Sequence, residues 1–228
     1  MGTLYVVGTP IGNLEDVSER ALRILRQVRL IAAENPARTQ RLLARYDIHT
    51  PMVRFTDAYE RRKRPRLEAV LAALAEGEAA LVSEAGMPGL ADPGYELLTA
   101  VRERGFPVVA VPGPTALSAA LSVAGLPAER FLFLGFLPRA AGARRRLLAS
   151  LVSTPLTLVA YEAPHRLLAT LAGLAHLFGQ RPMAAVCELS KLYEEVRRGT
   201  AADLLAHYRA HPPRGEFTLV IAGAEGAS

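Results

Sequence analysis

A chain of 228 residues with 50% hydrophobic and 21% charged content holds enough apolar material for one large core or two smaller ones, which excludes disorder as the starting assumption. Its formal charge of +5 and isoelectric point of about 9.7 favour a polyanionic partner, nucleic acid ahead of an anionic membrane. Lys63 and Lys191 are the only lysines, so nearly all the positive charge is arginine, whose planar fork suits phosphate and base edges; a GC-rich genome produces the same bias.

The first apolar run, Leu4 to Val7, has neither the basic flank nor the cleavage pattern of a signal peptide and reads as a strand. Further strands are expected at 30–33, 52–55, 79–82 and 108–111, alternating with helical periodicity, as in βα units of a mostly parallel sheet. In the first intervening helix Ala21, Leu22, Leu25 and Val28 share a face, and Asp16 with Glu19 reads as its capping box. Asn35-Pro36 and Asp92-Pro93 read as starts of later helices, and Gly77 and Gly105 as stops. Strand ends thus feed polar or glycine-rich loops along one sheet edge, where open α/β sheets bind ligands.

The longest apolar stretch, 108–128, is broken by Pro112, Gly113 and Pro114, which suits strand, loop and helix and argues against a membrane span. Strands are expected again at 131–136, 156–161, 182–188, 195–198 and 217–222, the last ones close enough to pair antiparallel. The pattern divides the chain into an N-terminal α/β domain, 1–113, and a C-terminal α/β domain with a mixed sheet, 114–228. Cys187, alone in an apolar run, is expected to be a small buried hydrophobe, and the absence of a leader or span places the chain in the cytoplasm.

Three strand-to-helix loops carry the functional signal. Gly8-Thr-Pro-Ile-Gly-Asn-Leu14 fits neither the dinucleotide fingerprint nor the Walker loop. The loop from Ser83 to Gly94 holds three glycines besides Pro88, Pro93 and the acids Glu84 and Asp92, with no arginine to take a phosphate, so a neutral or cationic ligand fits best. In Val111-Pro-Gly-Pro-Thr-Ala116, Thr115 is an N-cap or a ligand contact, and the two roles are compatible. Histidines at 49, 165, 176, 207 and 211 lack zinc spacing and cysteine partners, so no metal site is expected.

Together, Gly-Thr-Pro-Ile-Gly-Asn-Leu at 8 to 14, Asp-Pro-Gly at 92 to 94 and Val-Pro-Gly-Pro at 111 to 114 resemble the tetrapyrrole methylase superfamily. Gly-Phe-Leu-Pro at 135 to 138, Tyr-Glu-Ala-Pro-His-Arg at 161 to 166, Glu-Leu-Ser-Lys at 188 to 191 and Arg-Gly-Glu-Phe at 214 to 217 narrow the resemblance. They are similar to its ribosomal small-subunit methyltransferase I branch, which methylates the ribose 2′-hydroxyl of a decoding-centre cytidine in 16S rRNA. The resemblance runs nearly end to end. It implies a cytoplasmic homodimer of the tetrapyrrole-methylase fold, acting on the small ribosomal subunit without a membrane, whose two α/β domains enclose S-adenosyl-L-methionine. Carried over, the cofactor contacts are Pro10, Ile11, Ser83, Glu84, Ala85, Gly86, Met87, Pro88, Leu90, Thr115 and Ala116, joined by Tyr161, Leu189 and Phe217.

Two departures stand out: Ser-Glu-Ala-Gly-Met-Pro at 83 to 88 where the family has Ser-Asp-Ala-Gly-Thr-Pro, and Ala-Glu-Asn-Pro-Ala at 33 to 37 where it has Ala-Glu-Asp-Thr-Arg. Either substrate contacts shift, to Arg38, or activity is altered. Glu34, Glu162, Glu188, Lys191 and Glu216 are the polar residues at strand ends beside the motifs; Lys191, Glu188 and Glu34 are the catalytic candidates, with burial expected to lower the Lys191 ammonium unless it is held in a salt bridge. For RNA, the candidates are Arg38, Arg61, Arg62, Lys63, Arg64, Arg144, Arg145, Arg146 and Arg166, with Arg197-Arg198 as a further run and Tyr59, Phe136 and Tyr193 as stacking surfaces. Two alternatives remain: a superfamily relative acting on a corrin or porphyrin precursor, and a ribosome-assembly module without catalysis.

Overall fold

The computed structural model describes residues 2–56 and 63–224. Arg61, Arg62 and Tyr59, expected to meet RNA, lie outside the described residues, as do the side chains of Lys63 and Arg64. The chain forms two compact units, 1–115 and 116–228.

In the first unit the strands are β1 (Leu4–Val7), β2 (Leu30–Ala33), β3 (Met52–Arg54), β4 (Ala79–Val82) and β5 (Val108–Val111), separated by α1 (Glu19–Gln27), α2 (Pro36–Arg45), α3 (Lys63–Glu76) and α4 (Tyr95–Glu103). They make one sheet in the order β3-β2-β4-β1-β5, parallel throughout. The four residues of β4, Ala-Ala-Leu-Val, are all buried because helices cover both faces, the usual condition of a parallel sheet. Alternation along the strands separates two cores. Ile31, Ala33, Ala80 and Val82 pack with Ile24 and Leu25 of α1 and Leu42 and Leu43 of α2. On the other face Ala32, Ala79 and Leu81 pack with Leu71 and Leu74 of α3 and Leu97 and Val101 of α4.

β1 and β4 are neighbours, yet their connections leave in opposite directions and on opposite faces, β1 through α1 to β2 and β4 through α4 to β5. The loops after these two strands therefore diverge and leave a crevice outside their carboxyl ends, the switch point of an open α/β sheet.

Two expected caps are corrected. Ser18, not Asp16, caps α1, its hydroxyl accepting from Ala21 N at 3.1 Å, because Leu14–Asp16 is already wound into a 3₁₀ turn. Asp92 does not cap α4, whose first residue is Tyr95; Gly94 precedes it at φ 142°, a conformation only glycine adopts without strain. Asn35 does cap α2, with Pro36 at the first helical turn.

The second unit opens with α5 (Ala116–Ala124) and contains β6 (Phe131–Phe136), α6 (Ala141–Ala149), β7 (Thr157–Glu162), α7 (Pro164–Phe178), β8 (Met183–Cys187), β9 (Glu195–Gly199), α8 (Ala201–Ala210) and β10 (Phe217–Ile221). Its sheet runs β6-β7-β10-β8-β9, with β6 and β7 parallel and the other pairs antiparallel. Leu148 of α6, Leu167, Leu171 and Leu174 of α7 and Leu204 and Tyr208 of α8 fill the core against Leu158, Ala185 and Leu219. A capping box between Thr200 and Asp203 starts α8, and Gly179 at φ 59° ends α7. Cys187 is buried here, and its thiol donates to Arg214 O at 3.3 Å. Burial, then the nearby Glu188 and Glu195 charges, push it up to about 11.

Glycines set how closely the first unit's loops approach. A Cβ on Gly8 would stand 2.6 Å from Gly113 Cα, a backbone atom that cannot yield, whereas one on Gly173 in α7 would meet nothing within 4 Å. Gly8→Ala is therefore expected to lower stability by about 1–3 kcal/mol, and Gly173→Ala to raise it by about 0.5–1 kcal/mol, both read from urea unfolding midpoints.

Candidate functional site

The three motif loops of the first unit are brought together by main-chain contacts. Thr9 N donates to Gly86 O at 2.9 Å and Gly86 N to Thr9 O at 3.0 Å, an antiparallel bridge between the first loop and the second. The third loop closes on the first at Gly8 and Gly113, and the space a Cβ on Gly86 would occupy lies 3.6 Å from both Ile11 Cγ2 and Pro114 O. Ser83, buried at the end of β4, turns its hydroxyl onto the carbonyls of Ala85 and Gly86 and so shapes the second loop from within. Pro10, Ile11, the Ser83–Pro88 segment, Leu90 and Thr115 all belong to this cluster of loops, whereas the Met87 sulfur is turned back against Gly8.

The departures from the family pattern interlock. Glu84, although exposed, is gripped on both oxygens: Asn35 Nδ2 donates to Oε2 at 3.0 Å and Arg38 Nε lies 3.0 Å from Oε1. Its backbone N–H donates to Glu34 Oε2 at 2.9 Å, and Asn35 Oδ1 meanwhile accepts from Arg38 N. A carboxylate at 35 would face that of Glu84; the amide donates to it. The end of β2 and the start of α2 are thereby fastened to the loop after β4.

Asp92 lies half-buried beside this network. Burial, followed by the Glu34 charge, pushes its carboxyl up to about 6, against an opposing hydrogen bond from the Ser83 hydroxyl and with a smaller contribution from Glu84. Asp92 is thus no helix cap but an acid that shares a loop with Glu84 and is acted on by the Glu34 charge.

In the second unit Tyr161, Leu189 and Phe217 gather at one end of the sheet. Thr218 pairs with Tyr161, Phe217 pairs with Cys187, and Leu189 lies two residues beyond. Phe133 and Phe136 both meet the Tyr161 ring edge-on. The Phe217 ring faces the core against Tyr208.

Lys191 is held between two carboxylates, Glu188 Oε1 at 2.8 Å and Glu216 Oε2 at 2.7 Å. Burial alone would lower its ammonium, but the two acids outweigh burial and raise it, so the expected depression is corrected to the salt-bridge alternative. Burial likewise opposes, and Lys191 and the Glu216 N–H overcome, the ionisation of Glu188, whose value falls. Glu188 sits at φ 50°, and Gly215 makes room for it: a Cβ there would lie 2.3 Å from Oε1.

The arginine candidates separate by burial. Arg166 is corrected from an RNA contact to an internal one: its guanidinium meets the buried Glu162 at 2.6 Å and donates to Leu137 O at 3.0 Å. Glu162 in turn accepts from Thr170 Oγ1 at 2.6 Å, so it too is structural. Arg144 is 8% exposed and holds the carbonyls of Pro138 and Arg139, which removes it from the RNA-facing set, while Arg145 and Arg146 remain exposed. Arg197 pairs with Glu195, and Arg198 holds the carbonyls at the end of α5. Among the described residues no group of three metal-ligating side chains forms, and no helix is long and apolar enough to cross a membrane.

Because the folded state holds the Asp92 proton more tightly than the unfolded chain, charge on Asp92 costs stability as pH rises from about 4 through about 6. Asp92→Asn, which cannot ionise, is expected to raise Tm relative to the parent at about pH 7.5 and to lose that advantage towards pH 4. A thermal-shift series across this range checks it.

The family model for "Tetrapyrrole (Corrin/Porphyrin) Methylases" matches residues 3–205. The "Ribosomal RNA small subunit methyltransferase I" of Thermotoga maritima is 44% identical over 226 residues, 99% of this chain and 100% of its own length. The protein of the same description from a Synechocystis species is 46% identical, over 98% of this chain and 80% of that one. A uroporphyrin-III C-methyltransferase from Thermus thermophilus, solved with S-adenyl homocysteine, superposes with a TM-score of 0.64 at 21% identity, over 96% of this chain and 97% of its own, a likeness of fold. Matched in this way over nearly its whole length, the chain belongs to the tetrapyrrole (corrin/porphyrin) methylase family.

Proposed function

We propose that this chain is an S-adenosyl-L-methionine-dependent methyltransferase of small-subunit ribosomal RNA, acting in the cytoplasm as a homodimer on the ribose 2′-hydroxyl of a decoding-centre cytidine. The observation that carries this reading is the alignment with the Thermotoga maritima small-subunit methyltransferase, which spans 99% of this chain and all of the relative. The loops of the first unit fit the cofactor. Gly8 and Gly113 let the first and third loops close on each other, and Glu34, Glu84 and Asp92 suit a cation and oppose a phosphate. Pro10, Ile11, Ser83 to Pro88, Leu90 and Thr115 would hold it there.

When bound, S-adenosylmethionine supplies an electrophilic methyl group. The chain's own task is to align the attacking hydroxyl and take its proton. Preorganisation comes from the Thr9–Gly86 bridge and from the grip of Asn35 and Arg38 on Glu84, which fix the loop before any ligand arrives. Of the acids at this edge, Asp92 is the one whose value of about 6 matches proton uptake near neutrality, and Glu34 is committed through Oε2 to the Glu84 N–H. In the second unit, Lys191 stays protonated between Glu188 and Glu216, so its contribution is a fixed positive charge and not a proton acceptor.

Incubation with labelled S-adenosylmethionine and small ribosomal subunits from a strain lacking the modification is expected to place label on one cytidine ribose, mapped by primer extension. Label on a tetrapyrrole precursor and none on RNA would overturn the substrate; cofactor binding without transfer to subunits would overturn the catalysis. Lys191→Met, which removes that fixed charge, is expected to lower kcat by about 10²-fold or more with the affinity for cofactor retained. Full turnover in a folded Lys191→Met protein would remove Lys191 from the chemistry.

A further inference from the structure

In the second unit Arg144, Arg197 and Arg198 are held by internal partners, whereas the arginines spread through α1 and α2 of the first unit assemble into one surface. In α2, Arg38, Arg41 and Arg45 recur at intervals of three and four and are all exposed, while Thr39, Leu42 and Leu43 face the sheet. In α1, Arg20, Arg23 and Arg26 are exposed opposite Ala21, Ile24 and Leu25. The two helices cover the same face of the first sheet, so both rows point outward from one layer. Six arginines therefore share that layer with a single acid of the two helices, Glu19.

Three of these six guanidiniums, on Arg26, Arg38 and Arg45, have a partner inside the protein. Arg20, Arg23 and Arg41 make no ion pair or hydrogen bond among the described residues, the charges of Arg20 and Arg23 act on the Tyr5 hydroxyl that donates to Glu78, and Arg45 lies over the Tyr46 ring, its carbon 5.7 Å from the centroid. Arg26 donates to Tyr46 O at 2.9 Å, and with Arg29 it borders a hollow of about 600 Å³ at the start of β2 and β3. The α2 row covers about 10 Å from Arg38 to Arg45, the rise of two helical turns. Its Arg38 end is fastened to Glu84 in the candidate site, so the row leads from the motif loops across the flank of the unit. Unpaired like charges on neighbouring helices repel and lower stability unless a counter-charge is supplied. Arginine forks at this spacing match a run of phosphates.

We infer that the outward face of α1 and α2 is a docking surface for the phosphate backbone of ribosomal RNA, contacting the substrate at a distance from the methylated nucleotide. The inference rests on the ribosomal RNA reading above and adds to it where the RNA lies. It assigns to Arg20, Arg23, Arg41 and Arg45 a positioning role through non-specific phosphate contacts, with no part in the transfer itself.

The test replaces those four residues together, once by Gln and once by Lys, in the full chain. Binding to unmodified small subunits is measured across a range of salt, with kcat, KM for subunits and cofactor affinity measured alongside. Each phosphate contact contributes about 0.7–0.9 to the slope of log K against log salt, so the Gln variant is expected to lose about 3 from the slope. Its KM for subunits should rise about tenfold or more, with kcat at saturation and cofactor affinity unchanged. The Lys variant keeps the charge and should keep most of the slope. A Gln variant with the parent's slope and KM overturns the surface, as does a Lys variant that loses as much as the Gln one, because the arginines would then act through packing. Failure of the parent itself to bind or methylate subunits overturns the ribosomal RNA reading instead, and with it this surface.

Discussion

Two main-chain hydrogen bonds between Thr9 and Gly86 are what the candidate site depends on. They tie loops that follow neighbouring parallel strands but are pulled apart by connections leaving in opposite directions. Without a tie, a crevice at such a switch point would be bounded by two unsupported loops, each ordered at its own entropic cost. With it, the second loop is fixed at Gly86, and Ser83 and Glu84 before it are set by contacts to Gly86 and to the segment after β2. The third loop needs no tie of its own, since Gly8 and Gly113 let it rest on the first.

Much of this arrangement was legible because its causes are local. β-branched runs bounded by glycine and proline mark the strands of the first sheet, and Asn35-Pro36 marks a helix start, because a cap and its helix are adjacent in the chain. The two failed caps show the limit of local reading. Asp16 was one of two acceptors near a helix start, and its own 3₁₀ turn decided against it; at Asp92 the Pro93-Gly94 pair delays the helix until Tyr95. What could not be read were pairings across the fold. Glu84 and Asn35 are 49 residues apart, and nothing in their separation announces that one holds the other.

Arginine illustrates the same limit from the other side. Runs such as 144–146 draw the eye, but a run on a helix must send one member inward, and there Arg144 became a clamp on two carbonyls. Arg166, in the first turn of α7, reaches back to Glu162 at the end of β7, and the pair is buried together. Positions three and four apart, as in α2, stay on one outward row and keep their charge for solvent or a partner. Periodicity, more than density, distinguishes the arginines that build the protein from those free to meet something else.

Cys187 has a use that its burial creates. It is the chain's single cysteine, covered at the end of β8, bonded to Arg214 O and held as a thiol by a value pushed up to about 11. A thiol reagent can reach it only when the β8–β10 ladder or the segment at Arg214 opens. The labelling rate under native conditions is therefore a built-in clock for opening of the second unit, read without adding a probe. Slower labelling in the presence of a ligand would report that the ligand holds this unit closed, by an amount set by the ligand's preference for the closed form.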